Sequence, residues 1–180
     1  NNNTAVGNAA LTSITTGIQN TTMGAGAGRN ITTGGNNVII GRVAAYASTD
    51  VDKAVIIGEQ AGYTGNMTSD ADGTVSIGSG AGKNITSGQA NVSVGFGALA
   101  TEDTGDFNTA IGYQALATQN REGTVGNTAL GYKAGYAVTT AYSATIMGIN
   151  AGVALTTGHD NTLIGADTAD NLTTGDYNTA

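Results

Sequence analysis

Proline, cysteine and tryptophan are missing from this chain, and lysine and arginine together supply only 6 of its 180 residues. Without cysteine there is no disulfide, no thiolate-bound zinc and no thiol chemistry, and nothing fixes the redox compartment. The cations are scattered rather than clustered and the formal net charge is −7, so a nucleic-acid partner is not expected. No apolar run approaches the roughly 18 residues that span a bilayer, so no membrane insertion is expected. Charged residues make up 11% where about 25% is usual, and aromatic residues only 5%. The single histidine, His159, stands beside Asp160 with no cysteine or serine motif near it, which reads as a solvated turn residue. No nucleophile can be paired with a base, and no enzyme, cofactor or metal site is expected.

Glycine fills much of the space left, at 29 of 180 residues, together with Asn, Thr and other small residues. Disordered chains are usually rich in charge and proline, whereas β-branched residues here recur at fixed phase, so a folded repeat array is expected. The pattern Asn108-Thr109-Ala110-Ile111-Gly112 returns ten times. Its glycine falls at Gly7, Gly24, Gly41, Gly58, Gly78, Gly95, Gly112, Gly131, Gly148 and Gly165, mostly 17 residues apart. Asn178-Thr179-Ala180 opens a further copy. Residues 1–180 are therefore expected to be a single repeat array, a fragment of a chain continuing past both ends. Seventeen residues are too few for two strands and a helix, and the glycines and β-branched residues exclude an Ala-rich helical repeat. The fold class expected is all-β, a parallel β-roll or β-solenoid of about 17 residues per coil in ten units.

Counting the repeat glycine as zero, position −1 is always apolar: Val6, Met23, Ile40, Ile57, Ile77, Val94, Ile111, Leu130, Met147 and Ile164. Position −3 is Thr or Val, and strand alternation puts −3 and −1 on one face and −4, −2 and the glycine on the other. The −1 column is expected to be the core. Position −4 is Asn in seven units, among them Asn91, Asn108 and Asn127, and stacked Asn side chains can form a hydrogen-bonded ladder. Position +3 is Ala in nine units, and position +7 is a second apolar site followed by Thr-Thr-Gly or a near copy. That region reads as a second short strand running into a glycine turn. The −2 column carries no charge over ten units, which a solvent face would not be expected to sustain. Its members Ile39, Ile56, Ala110, Ala129, Ile146 and Leu163 are expected at a chain–chain interface, closed symmetrically in a homotrimer.

The fourth unit carries three extra residues within Gly65–Gly73 and the seventh two within Thr118–Gly123. Both are expected to bulge from one corner as tolerated loops. Gly78-Ser79-Gly80-Ala81-Gly82-Lys83-Asn84 resembles a phosphate loop only superficially, because Ile77 stands where its first glycine belongs and Asn84 where a hydroxyl should bind magnesium. Asp70-Ala71-Asp72-Gly73 lacks the later ligands of a calcium loop. Phe96, Tyr113 and Tyr132 occupy +1 in three consecutive units, and Arg29, Tyr46, Tyr63 and Lys83 occupy +5 in four. Stacked coils would turn these into surface columns. Tyr46, Tyr63, Phe96, Tyr113 and Tyr132 are thus candidate receptor contacts, suited to a carbohydrate or protein partner, or to packing against a neighbouring chain.

Strings such as Asn91-Val92-Ser93-Val94-Gly95 and Thr74-Val75-Ser76-Ile77-Gly78 resemble the repeat of trimeric autotransporter adhesin heads, the YadA-like left-handed parallel β-roll. Asn108–Leu116 and Asn127–Gly135 look like repeats of phage tail-fibre proteins. The resemblance covers essentially all ten units, and its motif is short. It implies a homotrimeric rod, extracellular or on a virion surface, displayed for attachment to a cell-surface glycan or protein receptor. The departure is the period, 17 here against a shorter coil in the adhesin heads.

The reading that follows is a structural and adhesive fibre segment, of a phage tail fibre or a bacterial surface appendage. The alternative is an ice-binding β-solenoid, whose Thr-Thr rows are interrupted at Thr49-Asp50, Met67-Thr68 and Asn120-Arg121. A calcium-dependent β-roll would need Gly-Gly-x-Gly-x-Asp repeats, and a polysaccharide-degrading spike an acidic pair; neither pattern is present.

Overall fold

A strand of only three residues can extend no further when a glycine follows it at every repeat, and the computed structural model, which describes residues 2–180, is built from such strands. They are β1 Thr4–Val6, β2 Thr21–Met23, β3 Val38–Ile40, β4 Val55–Ile57, β5 Val75–Ile77, β6 Val92–Val94, β8 Thr109–Ile111, β10 Thr128–Leu130, β11 Thr145–Met147 and β12 Thr162–Ile164. Two shorter strands, β7 Gly105–Asp106 and β9 Gly123–Thr124, pair with each other at one corner. The ten main strands form one parallel sheet in chain order, each pairing with the next. Like stacks on like, as in Ile39 against Ile56 and Ala110 against Ala129. The chain is thus an all-β parallel solenoid of about 17-residue coils, and among the described residues no helix is long and apolar enough to cross a membrane.

The two faces of the sheet are exchanged relative to the expectation from the sequence. The −2 residues Ile39, Ile56, Ala110, Ala129, Ile146 and Leu163 are fully buried inside their own chain and cannot meet a partner. The expected core faces outward: Val6, Met23, Ile111, Leu130, Met147 and Ile164 are 37–54% exposed, and Ile40, Ile57, Ile77 and Val94 are half-buried. Alternation defines two faces but does not say which one the turns fold back over. Here the turn residues at +3, +4 and +7 close over −2, so a coil holds a single narrow layer of side chains. The filling is complementary. In several coils small −2 residues sit with large +4 residues, as Ala110 with Leu116 and Ser93 with Leu99, and large with small, as Ile56 with Gly62 and Ile146 with Gly152. Ala129 and Gly135 are both small, and Leu116 and Ile146 of the adjacent coils reach into that space. A Cβ on Gly152 would stand 2.8 Å from Leu163 Cδ1 and 3.5 Å from Ile146 Cγ2, so no space remains. Each large aliphatic buried this way contributes about 1.5–3 kcal/mol.

The same inward face carries the Asn column, buried at Asn20, Asn37, Asn91, Asn108, Asn127 and Asn161. Buried amides persist only when their hydrogen bonds are made. Asn91 Nδ2 donates to the Gly105 carbonyl across its own coil at 2.7 Å, while its Oδ1 accepts from Asn108 N at 2.9 Å and Asn108 Nδ2 at 3.1 Å. Asn37 repeats the arrangement, donating to Val51 O at 2.6 Å and accepting from Ala54 N at 2.9 Å. Asn20, Asn127 and Asn161 likewise close their own coils and tie on the next. The Asn108 side chain, in the coil with the two-residue insertion, bonds instead to Asn91 before it and Asn127 after it.

The Thr-Thr-Gly region is not a strand. It is a bend in which successive N–H groups converge on one carbonyl of the next coil, as Thr32 N at 2.8 Å and Thr33 N at 3.4 Å do on Thr49 O, and Thr156 N at 2.8 Å and Thr157 N at 3.3 Å on Thr173 O. The +7 column does lie inside, with Ile31, Ile85, Val138 and Leu155 buried. The fourth-unit insertion is partly structural rather than a free loop. Gly65 supplies no side chain at +7, and Met67 turns inward in its place, fully buried beside Gly62. Ala71, in the short 3-10 turn Ser69–Ala71, is buried as well.

Candidate functional site

Because the coil interior takes −4 and −2, the outward strand face consists of −3 and −1 alone. It is two side chains wide, Thr or Val beside Val, Ile, Leu or Met, and none of its twenty positions carries a charge. Ten strands at the usual spacing make it about 50 Å long. The ridge of +1 side chains borders it immediately beyond the glycines. Arg42 and Glu59 form an ion pair on that ridge, both half or more exposed. Further along, Phe96, Tyr113 and Tyr132 stack in series, with ring centroids 5.3 Å apart and planes within 12°. Ile149, 56% exposed, continues the line. The expected aromatic column therefore forms.

The +5 column lies across the turn. Arg29 Nη1 donates to the Tyr46 hydroxyl at 3.1 Å, and the Tyr46 and Tyr63 rings sit 5.7 Å apart, tilted by 43°. Both tyrosines are half-buried, so less of them is available than of Phe96, Tyr113 and Tyr132. Lys133 Nζ is 5.5 Å from the Tyr132 ring and 5.4 Å from that of Tyr136, bridging the two columns.

Between these columns runs a cleft of about 390 Å³ that the sequence reading missed. Small residues make its floor: Gly80 and Gly97 at +2, Ala100 and Ala117 at +5. Phe96 forms a wall, and Gln60, Lys83, Gln114 and Tyr136 stand around it. The signal was present in the chain. The +2 column drops to Gly in the fifth and sixth coils and the +5 column to Ala in the sixth and seventh, which hollows the surface at one place. Lys83, the lysine of the phosphate-loop lookalike, belongs to this cleft rather than to a nucleotide site.

His159 is more enclosed than a solvated turn residue. Its Nδ1 is 2.8 Å from Asp160 Oδ2 and its Nε2 3.3 Å from Asp176 Oδ2. The ring stacks on Tyr142 at 4.7 Å and meets the edge of Tyr177 at 5.2 Å, while the Arg121 guanidinium lies 4.2 Å above Tyr142. This corner ladder joins successive coils. Carboxylates join successive coils in the same way: Asp106 Oδ1, several coils earlier, accepts from Gln89 N at 2.8 Å, and Asp176 Oδ1 from His159 N at 2.9 Å. Among the described residues no group of three or more His, Cys, Asp or Glu side chains is placed to hold a metal ion. Compared with protein-family models, with curated proteins and with solved structures, the chain matches none.

Proposed function

We propose that this solenoid is a structural and adhesive fibre segment, of a phage tail fibre or a bacterial surface appendage. On this reading it assembles as a homotrimeric rod for attachment outside the cell or on the virion, and it has no catalytic role. The observation that carries the proposal is the outward strand face, an uncharged strip continuous over ten coils. Single exposed hydrophobics need no explanation, but an extended contiguous strip marks an association surface. Three copies presenting the same strip to a common axis would bury it symmetrically and close the assembly. The partner-facing residues are then Ile111, Leu130 and their column, in place of the −2 residues that the coil interior consumes.

Light scattering on the chain should report three chains per particle. Ile111→Lys with Leu130→Lys should release folded monomers, because both side chains point out of the coil. A stable, folded wild-type monomer would remove the trimer and much of the case for a fibre. Ice binding is the second reading, favoured by the six outward threonines at −3 of that face. Val38, Val55, Val75 and Val92 interrupt the row in its middle. Thermal hysteresis of the wild-type chain would favour ice binding over the rod.

A further inference from the structure

We propose that the cleft between the aromatic ridge and the +5 column binds a carboxylated sugar residue of a surface glycan. The inference rests on the attachment reading above and names its ligand class. Phe96 heads the aromatic stack: Tyr113 covers one of its faces at 5.3 Å, while the preceding coil places Ser79 at the matching position and leaves the other face without a ring over it. Phe96 is 54% exposed and forms the cleft wall. A pyranose ring has a face of C–H groups and a rim of hydroxyls, so it needs an apolar plane bounded by polar groups, and the cleft supplies both. The Gln60 and Gln114 amides, at opposite ends, offer donors and acceptors to hydroxyls.

Lys83 decides the charge. The ion pairs among the described residues involve Arg42 and His159, so the Lys83 ammonium has no carboxylate within 4.0 Å. A carboxylate on the ligand would provide its partner. One cation in the cleft, on a chain of net charge −7, suits one carboxylate and disfavours a densely sulfated or polyphosphate chain. The volume of about 390 Å³ lies in the small-molecule range, enough for one or two sugar rings. The floor is open. A Cβ on Gly80 would meet nothing within 4 Å, and one on Gly97 only Gln114 Cγ at 3.6 Å.

The test is calorimetric titration of the chain with a hexuronic-acid tetrasaccharide, with its carboxyl-reduced neutral form and with a sialyl trisaccharide. At least one acidic probe should bind about tenfold or more tightly than the neutral form, and which acidic probe binds identifies the source of the carboxylate. Lys83→Met, Phe96→Ala and Ala100→Phe should each weaken that binding by about tenfold or more with unchanged melting, since all three positions border the cleft. The inference is overturned if no acidic probe binds at millimolar concentration, if the neutral form binds equally, or if Lys83→Met changes nothing. Light scattering on the same samples separates the two proposals. A trimer without sugar binding removes only the cleft assignment, and a monomer removes the rod whatever the titration gives.

Discussion

Gly112 has φ of +139°, and a Cβ there would stand 2.2 Å from the carbonyl oxygen of Gly131 in the next coil. The repeat glycine is thus required twice, by backbone conformation and by close approach of stacked backbones. Gly112→Ala is expected to cost about 3 kcal/mol or more, read as a fall in chemical-denaturation midpoint. Gly80→Ala, at φ +66° with nothing within 4 Å, should cost only about 1 kcal/mol. Ala9, Val43 and Gln114 already hold that conformation at +2 in other coils. Glu102 gives a second residue-scale test. It is fully buried, and its Oε1 accepts from Asp103 N at 2.9 Å and Gly105 N at 2.7 Å, while Oε2 has no partner. In other coils the N–H after +7 donates to the next coil, as Thr86 N does to Asp103 O at 2.8 Å. Glu102 replaces that bond where the seventh unit departs from the period. Glu102→Gln keeps the acceptor without the charge and should melt at or above wild type. Glu102→Leu orphans two donors and should lose about 1–3 kcal/mol for each that is buried, checked by the same denaturation series.

Neighbouring residues of one strand separate folding from assembly at the scale of the element. Ala110 and Ile111 are adjacent in β8, one fully buried and the other 37% exposed. Ala110→Asp places an unpaired charge in the single-layer interior and should cost several kcal/mol, seen as loss of the cooperative far-UV transition. Ile111→Asp should leave the monomer fold intact and remove association. The opposite outcome would restore the −1 column to the core. That two alternating columns exist was legible from Ala110 and Ile111 and their repeats. Which column is inside was not legible from hydrophobicity, because Ile111 is the bulkier of the two. The pairing of Ala110 with Leu116, and of Ile56 with Gly62, was the better signal, since residues of complementary volume must share one space. Met67 was hidden for another reason. The chain offers Gly65 at the expected phase, and only closure of the coil around a vacant position draws the methionine inward.

For the whole molecule, the long-range pairing of identical coils makes stability a sum over neighbours, as in other solenoids. If three rods associate through the outward face, the melting temperature of the wild-type chain should rise with chain concentration, because dissociation is linked to unfolding. The Ile111→Asp variant should melt at one temperature at every concentration. A wild-type melting temperature independent of concentration, over a range in which light scattering shows no change of mass, would count against the trimer. The cleft belongs to this scale too. No single coil contains it: Lys83, Phe96, Gln114 and Tyr136 come from four successive units.

The period of 17 residues, the invariant glycine and the Asn column by themselves determined a parallel in-register stack, because only like-on-like pairing satisfies an amide ladder in seven of the ten units and the glycine contact between successive coils. The aromatic stack followed from the same phase. The tertiary structure alone decided which strand face is covered, since that depends on the direction in which the turn after the glycine folds back. The same turn decided that Met67 and Glu102 enter the interior. It also joined missing side chains at two separate positions of the repeat into one cleft.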